Sequence, residues 1–424
     1  MTHKVLLIAF FHPFTVISGG SFRVLPLVRY LPEFGWEPVV LTAPLRERPS
    51  VPCEVVETPY RETLGLWKRL FKLETTNDIN TQIKQRLGVT ARGSLLDYIL
   101  SFVGELFYYP DSYKGWRNFA ISKGSELLSQ QKFEAILSCY PVTSHLVAAE
   151  LKTRYGLPWL ADFPDLWSQN HNYSYSRWRR KRDIKLELTT LSRADVLATV
   201  SEPWSEKLRA LHKGKTVYAI THGFDPNLIN DPPAPLTEKF TITYTGTIYP
   251  EGEDPVKLFT ALSRLISGGV IDATKVEVRF YGHKLDWLAD EIKKRRFEGI
   301  VKQYGVITPD AARQKQRESQ LLLLLKWEDP GERGVHTGKI YEYLAARRPI
   351  LATGGYQDVV SDLLVETGAG VDAPTVEDIE NVLRKAYQEY LTGQVIYRGA
   401  PSVINRYSHR EMARKFAEIL EGLL

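Results

Sequence analysis

Short apolar runs alternate with amphipathic stretches along most of this chain. The runs are rich in Leu, Ile, Val and Ala, as is typical of strands buried on both faces of a parallel sheet. The stretches between them repeat apolar positions at helical spacing. This alternation predicts an α/β protein assembled from βαβ units. The predicted strands are 4–10, 36–42, 133–138, 158–163, 194–200, 217–221, 240–246, 276–281, 305–307, 321–325, 349–353 and 369–371.

The clearest βαβ unit lies in residues 319–355. Leu321 to Leu325 is a continuous apolar run and predicts a buried strand. A polar, glycine-containing loop then leads to Thr337 and Gly338, where a helix begins. Pro349 ends that helix and starts the next strand. The predicted packing stripe of the helix consists of Ile340, Tyr343 and Leu344.

The start of this helix has the layout of a nucleotide site. Its free N–H groups and partial positive charge suit a phosphate. Lys339 and Glu342 lie three residues apart, so they share a face that differs from the packing stripe. Glu342 lies one turn into the helix, where a carboxylate can accept two hydrogen bonds from a ribose diol. The alternative is an ordinary surface helix that carries a Lys and a Glu.

The segment GKIYEYLAARRPILATGG, residues 338–355, resembles the donor-site segment of glycosyltransferase family 4 and related GT-B enzymes. The resemblance implies an α/β chain of the GT-B fold, with two Rossmann-like domains facing across a cleft. It also implies that Glu342 holds the nucleotide ribose and that the backbone at Thr337 and Gly338 cradles the diphosphate. Many members carry a second Glu, which contacts the donor sugar, at the position of Gly334 in this chain.

Residues 12–42 resemble the opening of the amino-terminal domain of the same family. This Rossmann-like opening lacks G-x-G-x-x-G, and no acid follows its second strand, which disfavours an NAD site. In the family, the loop that matches Gly19 and Gly20 lets the backbone approach the donor phosphate or sugar. A tight strand-to-helix turn is the alternative. Arg23 is either a phosphate or acceptor contact or a solvated helix residue.

Two motifs of the first half also match the family. The segment ADFPDLWSQN resembles a D-x-x-D-x-W pattern and places Asp162 and Asp165 at the carboxyl end of a strand, where α/β folds hold their chemistry. Both acids are catalytic candidates that would contact the acceptor hydroxyl or the donor sugar. The alternative for Asp165 is a helix cap. The HGFD segment at 222–225 resembles the motif that closes the first domain of the family.

Two further segments suggest an anionic partner. Residues 64–116 break the strand and helix alternation and predict an insertion of amphipathic helices. The insertion either docks on a membrane or packs as a helical subdomain or dimer contact. Residues 177–185 gather basic side chains, Arg179 and Arg180 among them, around Trp178. A polyprenyl-diphosphate head group or an anionic leaflet would suit this cluster, and a solvated helix face is the alternative.

The loop after strand 240–246 is where the resemblance places the cations that neutralise the diphosphate. In the family this turn carries an Arg and later a Lys. Here Thr247 stands where the Arg is expected, and Lys257 is the matching Lys. One cation is therefore missing, or it is supplied by Lys339 or Lys326. The chain contains no D-x-D segment, so we expect neither a metal ion nor another cofactor.

Length and composition set the frame. The 424 residues exceed one ordinary core and predict two domains, 1–227 on the acceptor side and 240–400 on the donor side. Residues 228–239 are the predicted linker, and the resemblance implies that a terminal helix in 401–424 packs back on the first domain. The net charge of +5 suits anionic donors or lipid surfaces and is too small to indicate nucleic acid.

The cellular location follows from simple features. The chain has two cysteines, Cys53 and Cys139, which form no metal or redox motif, so a reducing compartment is expected. Met1 to Lys4 leads directly into a strand, which predicts no signal peptide. No apolar stretch approaches the roughly 20 residues of a membrane span. We expect a cytoplasmic protein, in one reading peripheral on the inner face of the membrane.

These features and the resemblance imply a glycosyltransferase. It would move a sugar from a nucleoside diphosphate sugar to a hydroxyl of a glycan or lipid-linked acceptor, with retention at the anomeric carbon, in bacterial cell-surface polysaccharide or glycolipid synthesis. One alternative is a GT-B-like sugar-nucleotide epimerase. Another is a degenerate, non-catalytic partner of a transferase, for which Gly334 and Thr247 are the argument.

Overall fold

The computed structural model divides the chain into two compact units. Unit 1 comprises Met1–Ile220 and Ala413–Leu424, and unit 2 comprises Thr221–Met412. The division falls before the HGFD motif, whereas the sequence suggested a boundary after it. The described residues are 2–10, 21–45, 51–61, 105, 107–170, 173, 175–230, 234–250, 252–329, 331 and 333–424. Most of the predicted insertion at 64–116 therefore lies outside the described residues.

Within the described residues, unit 1 forms a seven-stranded sheet in the order β3-β2-β1-β4-β5-β6-β7. All of its strand pairs are parallel, and the inner strands are buried, as the apolar runs predicted. The prediction missed β3, a short edge strand with the sequence EVVE. The strands are β1 His3–Ile8, β2 Trp36–Thr42, β3 Glu54–Glu57, β4 Ala135–Cys139, β5 Trp159–Phe163, β6 Val196–Thr199 and β7 Thr216–Ala219.

The helices of unit 1 connect these parallel strands. Two of them end at a glycine in the left-handed region, since a residue there must adopt positive φ: Gly35 follows a 3-10 turn at Leu31–Phe34, and Gly156 follows α3. The helices are α1 Ser21–Tyr30, α2 Arg117–Gln130, α3 Val142–Tyr155, α4 Arg177–Leu191 and α5 Glu202–Leu211.

Unit 2 repeats the architecture with a six-stranded parallel sheet, counted over its described residues, in the order β10-β9-β8-β11-β12-β13. The strand predicted at 305–307 is wrong. The strand lies earlier, because Gly305 has a φ of +90° and Val306 is 67% exposed, so these residues leave the sheet. The strands are β8 Phe240–Thr245, β9 Val276–Tyr281, β10 Val301–Gln303, β11 Leu321–Leu325, β12 Ile350–Thr353 and β13 Gly370–Ala373.

The strand β11 shows why its sequence is continuously apolar. Leu321, Leu323 and Leu325 enter a core on one face of the sheet. Leu322 and Leu324 enter a second core on the other face. Successive side chains of a strand point to opposite faces, so a strand covered by helices on both sides needs an apolar residue at every position.

The helices of unit 2 pack on both faces of its sheet. The predicted packing stripe of α9 is confirmed, because its three members are fully buried. Arg347, in the left-handed region at a φ of +53°, ends this helix. The helices are α6 Val256–Ser267, α7 Asp286–Lys294, α8 Pro309–Arg317, α9 Gly338–Ala346, α10 Val359–Thr367, α11 Val376–Leu391 and α12 Pro401–Ile404. The last helix, α13 His409–Glu421, begins in unit 2 and continues into the residues of unit 1.

The HGFD motif is fastened to the segment that precedes α13. The backbone N–H of Phe224 donates to the Tyr407 carbonyl at 3.1 Å, and the N–H of His409 donates to the Phe224 carbonyl at 2.8 Å. A Cβ on Gly223 would lie 2.6 Å from the Ser408 carbonyl carbon, so only glycine fits this approach. The residues of α13 from Ala413 onward belong to unit 1. Among the described helices, none has the length and hydropathy to cross a bilayer.

Candidate functional site

The candidate donor site lies where the strand order of unit 2 reverses, between β8 and β11. The loops that follow these two strands leave the sheet at neighbouring carboxyl ends. In open α/β sheets, this crevice is where ligands bind. The loop after β8 spans residues 246–255, and the loop after β11 spans 326–337 and leads into α9.

The two loops are locked to each other by an aromatic contact that the sequence did not predict. The rings of Tyr249 and Trp327 stack with centroids 6.0 Å apart and planes 27° apart. The N–H of Glu328 donates to the carbonyl of Gly252 at 3.1 Å. A Cβ on Gly252 would lie 2.1 Å from the indole Cε3, so this glycine lets the backbone lie on the ring. The crevice therefore has fixed walls.

The start of α9 carries the predicted phosphate cradle. Thr337 is the N-cap residue with φ −65° and ψ 134°, and no side chain of the described residues caps the helix. Gly338 is the first helical residue. Of the first-turn N–H groups, that of Ile340 donates to the Thr337 carbonyl at 3.2 Å, so those of Gly338 and Lys339 are the candidate donors to a ligand. The helix dipole adds a partial positive charge at the same point.

Lys339 lies beside Thr247, the position where the family has an arginine. Its Nζ is 3.4 Å from the Thr247 carbonyl oxygen and 5.1 Å from the centre of the Tyr244 ring. The stem of the side chain crosses Gly246, where a Cβ would lie 2.5 Å from the Lys339 Cε. The ammonium also lies 3.7 Å from an oxygen of Glu253. The helix thus brings a cation to the loop that lacks one.

The two other lysines considered for the diphosphate differ in their surroundings. Lys326 is not available, and this alternative is wrong. Its Nζ is buried and donates to the Tyr356 carbonyl, Ser361 and Asp372. Lys257, in the first turn of α6, is partly exposed and lies 2.6 Å from Glu328. Its role in donor binding stays a prediction.

Glu342 lies on the other side of the α9 start. Its Oε2 accepts a hydrogen bond from Nε2 of Gln316 at 3.2 Å, and the same amide donates to the Thr245 hydroxyl at 2.8 Å. Burial raises the pKa of the Glu342 carboxyl. The side chain is only partly buried and lines a small pocket, so it can reach a ligand. The other lining residues are Leu228, Arg313, Gln316, Arg317, Ala345 and Ala346.

Glu253 is a site residue that sequence reasoning missed. It lies in the PEGED segment, in the loop for which the sequence analysis considered only an Arg and a Lys. Its side chain is buried, and its Oε2 accepts from the Tyr244 hydroxyl and the Tyr249 N–H, both at 3.1 Å. Burial raises the pKa of this carboxyl. An acid in a glycine-rich turn after a β-strand was the available signal.

In unit 1 the structure corrects the roles predicted for Arg23 and Asp162. The Arg23 Nη2 donates to Asp162 Oδ1 at 2.9 Å, and both side chains are fully buried. The Arg23 Nη1 donates to the Ile220 carbonyl at 2.6 Å, and the guanidinium lies over the Phe416 ring. Neither group is accessible to an acceptor, so Arg23 is not an acceptor contact or a solvated residue, and Asp162 is not a catalytic acid here. Together they join β5, α1, the end of β7 and the final helix.

Asp165 remains a candidate. It is partly exposed just past β5, and burial raises the pKa of its carboxyl. No helix begins after it in the described residues until α4, whose cap is Ser176, so the capping alternative is wrong.

Arg179 is a buried anchor, which corrects its assignment to an acceptor or membrane. Its Nε donates to Asp183 at 2.9 Å, and its Nη2 donates to the Pro110 carbonyl at 2.6 Å. Arg180 is exposed, as a surface role requires, with its guanidinium 5.0 Å from the Tyr173 ring centre. Gly19 and Gly20 lie outside the described residues.

In the described part of the chain, no group of three or more His, Cys, Asp and Glu side chains is arranged to hold a metal ion. Independence from metal stays a prediction. The remaining candidate residues are Lys339 and Glu342 at the start of α9 in unit 2, and Asp165 after β5 in unit 1.

Two doubly wound parallel sheets of this kind define the GT-B fold class, and solved structures agree. Anabaena HepE, in complex with UDP and glucose, aligns over 99% of this chain and 99% of its own, with 13% identity and a TM-score of 0.61. Sucrose-phosphate synthase from Thermosynechococcus elongatus aligns over 99% of each chain, with 12% identity and a TM-score of 0.64. A glycosyltransferase from Rickettsia africae aligns over 100% of this chain and 98% of its own, with 12% identity and a TM-score of 0.60. The predicted fold class is confirmed.

The sequence of the first half matches a family model. Residues 18–218 match the model of the Glycosyl transferase 4-like domain. A search of curated protein sequences finds no match. With this domain in its first half and the GT-B fold over its whole length, the chain resembles the family 4-like glycosyltransferases.

The buried pair gives a stability prediction. We expect Arg23→Leu to destabilise unit 1 by about 3–5 kcal/mol, because it leaves the Asp162 carboxylate buried without its cation. The measurement is the free energy of unfolding from urea denaturation. The control is Arg177→Leu at an exposed position of α4, which should change it by less than about 0.5 kcal/mol. Equal effects of the two substitutions would contradict the structural role.

Proposed function

We propose that this glycosyltransferase moves a sugar from a nucleoside diphosphate sugar to a hydroxyl of a glycan or lipid-linked acceptor, with retention, in bacterial cell-surface polysaccharide or glycolipid synthesis. The observation that carries the proposal is the start of α9 at the switch point of unit 2. It offers open N–H groups at Gly338, an ammonium at Lys339 and a carboxylate at Glu342. These three features match the diphosphate and ribose of one ligand.

The electrostatics of the site suit a diphosphate leaving group. Negative charge grows on the diphosphate as the glycosidic bond breaks, and fixed donors that meet this charge are the main source of catalysis. The dipole of α9 and its N–H groups are such donors. Lys339 adds a full charge beside the Thr247 carbonyl, at the position where the family has an arginine. We therefore expect transfer without a metal ion.

The ligands of structurally similar proteins suggest which donor to test first. HepE has been solved with UDP and with UDP-glucose. A UDP-sugar is therefore the first donor to test. The site that would recognise the sugar differs from the family, because Gly334 replaces the second Glu. Glu328, which lies on the same loop as Gly334 and pairs with Lys257 of α6, is a candidate carboxylate for that contact.

A donor screen tests the proposal and its alternatives. The protein is incubated with UDP- and GDP-sugars together with lipid-linked and glycan acceptors, and nucleoside diphosphate release is measured by mass spectrometry. Release that depends on the acceptor supports transfer. Conversion of the donor without acceptor would indicate an epimerase. No shift of the melting temperature with UDP or GDP would favour a non-catalytic partner.

The acceptor side of the proposal rests on Asp165. Its carboxyl lies at the end of a central strand, is partly exposed and has a raised pKa because of burial. Such a group can accept a hydrogen bond from an acceptor hydroxyl and orient it. Asp162, three residues earlier in the same motif, is instead paired with Arg23 in the core. The two acids of the motif therefore have separate tasks.

The first half of α4 supports a location at an anionic membrane surface. The guanidinium of Arg182 lies between the rings of Tyr109 and Trp178, at 4.7 and 4.9 Å from their centres. Exposed aromatic side chains adjoin exposed basic ones, a combination that binds lipid headgroups and the interface below them. The exposed aromatic residues are Phe107, Tyr175 and Trp178, and the exposed basic residues are Arg177, Arg180, Lys181, Arg182 and Lys185.

For Glu342 we expect the Glu342→Ala variant to bind UDP or GDP about 10- to 100-fold more weakly, because it loses hydrogen bonds from the ribose to a charged acceptor. Isothermal titration calorimetry gives the affinity, and circular dichroism checks the fold. Glu298→Ala, at an exposed position of the same unit, is the control and should bind as the wild type does. Unchanged affinity in Glu342→Ala would remove the ribose assignment.

For Asp165 we expect Asp165→Asn to lower kcat by about 100-fold or more while the affinity for the nucleotide stays the same. The reason is that the amide keeps the shape of the side chain but no longer attracts the acceptor proton. Steady-state transfer kinetics and nucleotide titration separate the two effects. Glu206→Gln, exposed on α5, is the control. Full activity of Asp165→Asn would exclude it from the reaction.

For the membrane surface we expect the triple variant Arg177→Glu, Lys181→Glu and Lys185→Glu to lose binding to anionic vesicles by at least about 100-fold, since each basic residue near the surface contributes about 1 kcal/mol. Vesicle flotation measures the bound fraction. The control is Lys239→Glu, Lys275→Glu and Lys385→Glu, which makes the same change in net charge on exposed residues of unit 2. Equal losses in both variants would show a non-specific charge effect.

A further inference from the structure

A buried carboxylate stands directly behind the cation of the candidate donor site. Glu253 is only 3% exposed, and its two oxygens have different partners. Oε2 accepts from the Tyr249 N–H at 3.1 Å and lies 3.1 Å from the Tyr244 hydroxyl, whose single proton is shared with the Thr247 carbonyl at 2.8 Å. Oε1 faces the Lys339 ammonium at 3.7 Å. A side chain this deep in the protein is held in place by its hydrogen bonds and does not follow the lysine if the lysine moves.

Lys339 is less constrained than its partner. Its side chain is 17% exposed, and its contacts are the long hydrogen bond to the Thr247 carbonyl, the ion pair with Glu253 and the face of the Tyr244 ring. The distance of 3.7 Å to Glu253 exceeds that of a direct charge-assisted hydrogen bond. An anionic ligand at the start of α9 can therefore draw the ammonium away from the carboxylate.

We propose that Glu253 and Lys339 form a proton-linked pair, in which Glu253 balances the charge of Lys339 in the empty site and takes up one proton from solvent when a nucleoside diphosphate engages the ammonium. This inference rests on the proposed function, because it assigns the diphosphate to the start of α9. Glu253 acts through Lys339, so it is a positioning residue. No covalent bond other than the O–H of the new carboxylic acid forms.

The charges of the site explain why the proton is needed. Burial raises the pKa of Glu253, and the charge of Lys339 opposes that rise. A bound diphosphate takes the ammonium for itself and brings further negative charge, so both changes favour the neutral acid. Among the described residues, the titratable groups with an interaction with Glu253 are Tyr244 of β8, Tyr249 of its own loop, and Lys339 and Tyr343 of α9. Asp254 of its loop and Glu291, Lys294 and Arg295 of α7 line the same surface pocket as Glu253.

The sign of the pH dependence follows from this linkage. Binding raises the pKa of Glu253, so affinity is full below its pKa in the free protein. Affinity then falls as the pH rises from the pKa of the free protein to that of the complex. Each unit by which binding raises the pKa makes the affinity about tenfold weaker above this window. At high pH the uncompensated carboxylate also helps to release the product nucleoside diphosphate.

The experiment compares UDP and GDP binding to the wild type and Glu253→Gln. The amide is nearly the same size and can still accept from the Tyr249 N–H, so the loop is expected to fold. Affinities are measured by calorimetry between about pH 5 and pH 9, in pairs of buffers with different ionisation enthalpies, which reports the protons taken up. The control is Glu380→Gln, which removes a carboxylate from an ion pair with Arg264.

We expect Glu253→Gln to bind UDP or GDP at least about tenfold more tightly than the wild type at the alkaline end, to equal it at the acid end, and to take up fewer protons. The phosphate groups of the ligand titrate equally in both proteins, so the difference isolates Glu253. Glu380→Gln should retain the wild-type profile. Lys339→Met should weaken binding at every pH and reduce the difference between Glu and Gln at position 253.

Two results would overturn the inference. One is the same pH profile and proton uptake in the wild type and Glu253→Gln. The other is weaker binding by Glu253→Gln at every pH, with an unchanged melting temperature, which would give Glu253 a purely attractive role. A wild type that binds neither nucleotide overturns the proposed function as well, whereas binding that depends on Glu342 but not on Glu253 overturns this inference alone.

Discussion

The ammonium of Lys339 is held where the carboxyl end of β8 meets the start of α9, and the chemistry proposed for unit 2 depends on that placement. The helix supplies N–H groups and a dipole, but these carry only partial charge. Gly246 leaves room for the stem of the lysine, and the Tyr244 ring supports it. The loop after β8 has no arginine of its own at Thr247. A residue from the neighbouring helix replaces it in space, which the order of residues along the chain does not reveal.

Much of the fold was predictable because it is written in local patterns. The boundaries of β2, β9 and β11 match the predicted ones, and α9 begins at the glycine that the sequence indicated. A strand buried on both faces is apolar at every position, and an N-cap residue such as Thr337 commonly precedes a helix, so each signal lies within a few residues. The strand β10 was misplaced because its three residues, VKQ, contain too little apolar pattern to be recognised.

Two of the buried ion pairs could not be predicted, because their partners lie far apart in the sequence. Arg23 pairs with Asp162 across 139 positions, and Lys326 reaches Asp372 across 46. Viewed in the sequence, each of these residues lies at a strand end or a helix start, where ligand-binding residues also occur. A charged residue belongs to an internal ion pair when the protein itself supplies the opposite charge, and it can bind a ligand when the protein does not. Only the tertiary structure distinguishes these two cases.

The two carboxylates of the unit 2 site show how environment divides their tasks. Glu342 receives a hydrogen bond from the Gln316 amide and borders a pocket, so it keeps acceptor capacity for a ligand. Glu253 is buried against tyrosines and a backbone N–H. In our proposal, it therefore affects the binding of a ligand through its ion pair with Lys339. A carboxylate beside a diphosphate would ordinarily oppose binding. In the proposed pair, its burial next to a mobile cation turns that repulsion into a dependence on protons, so that the site would hold a donor and still release the more highly charged nucleoside diphosphate.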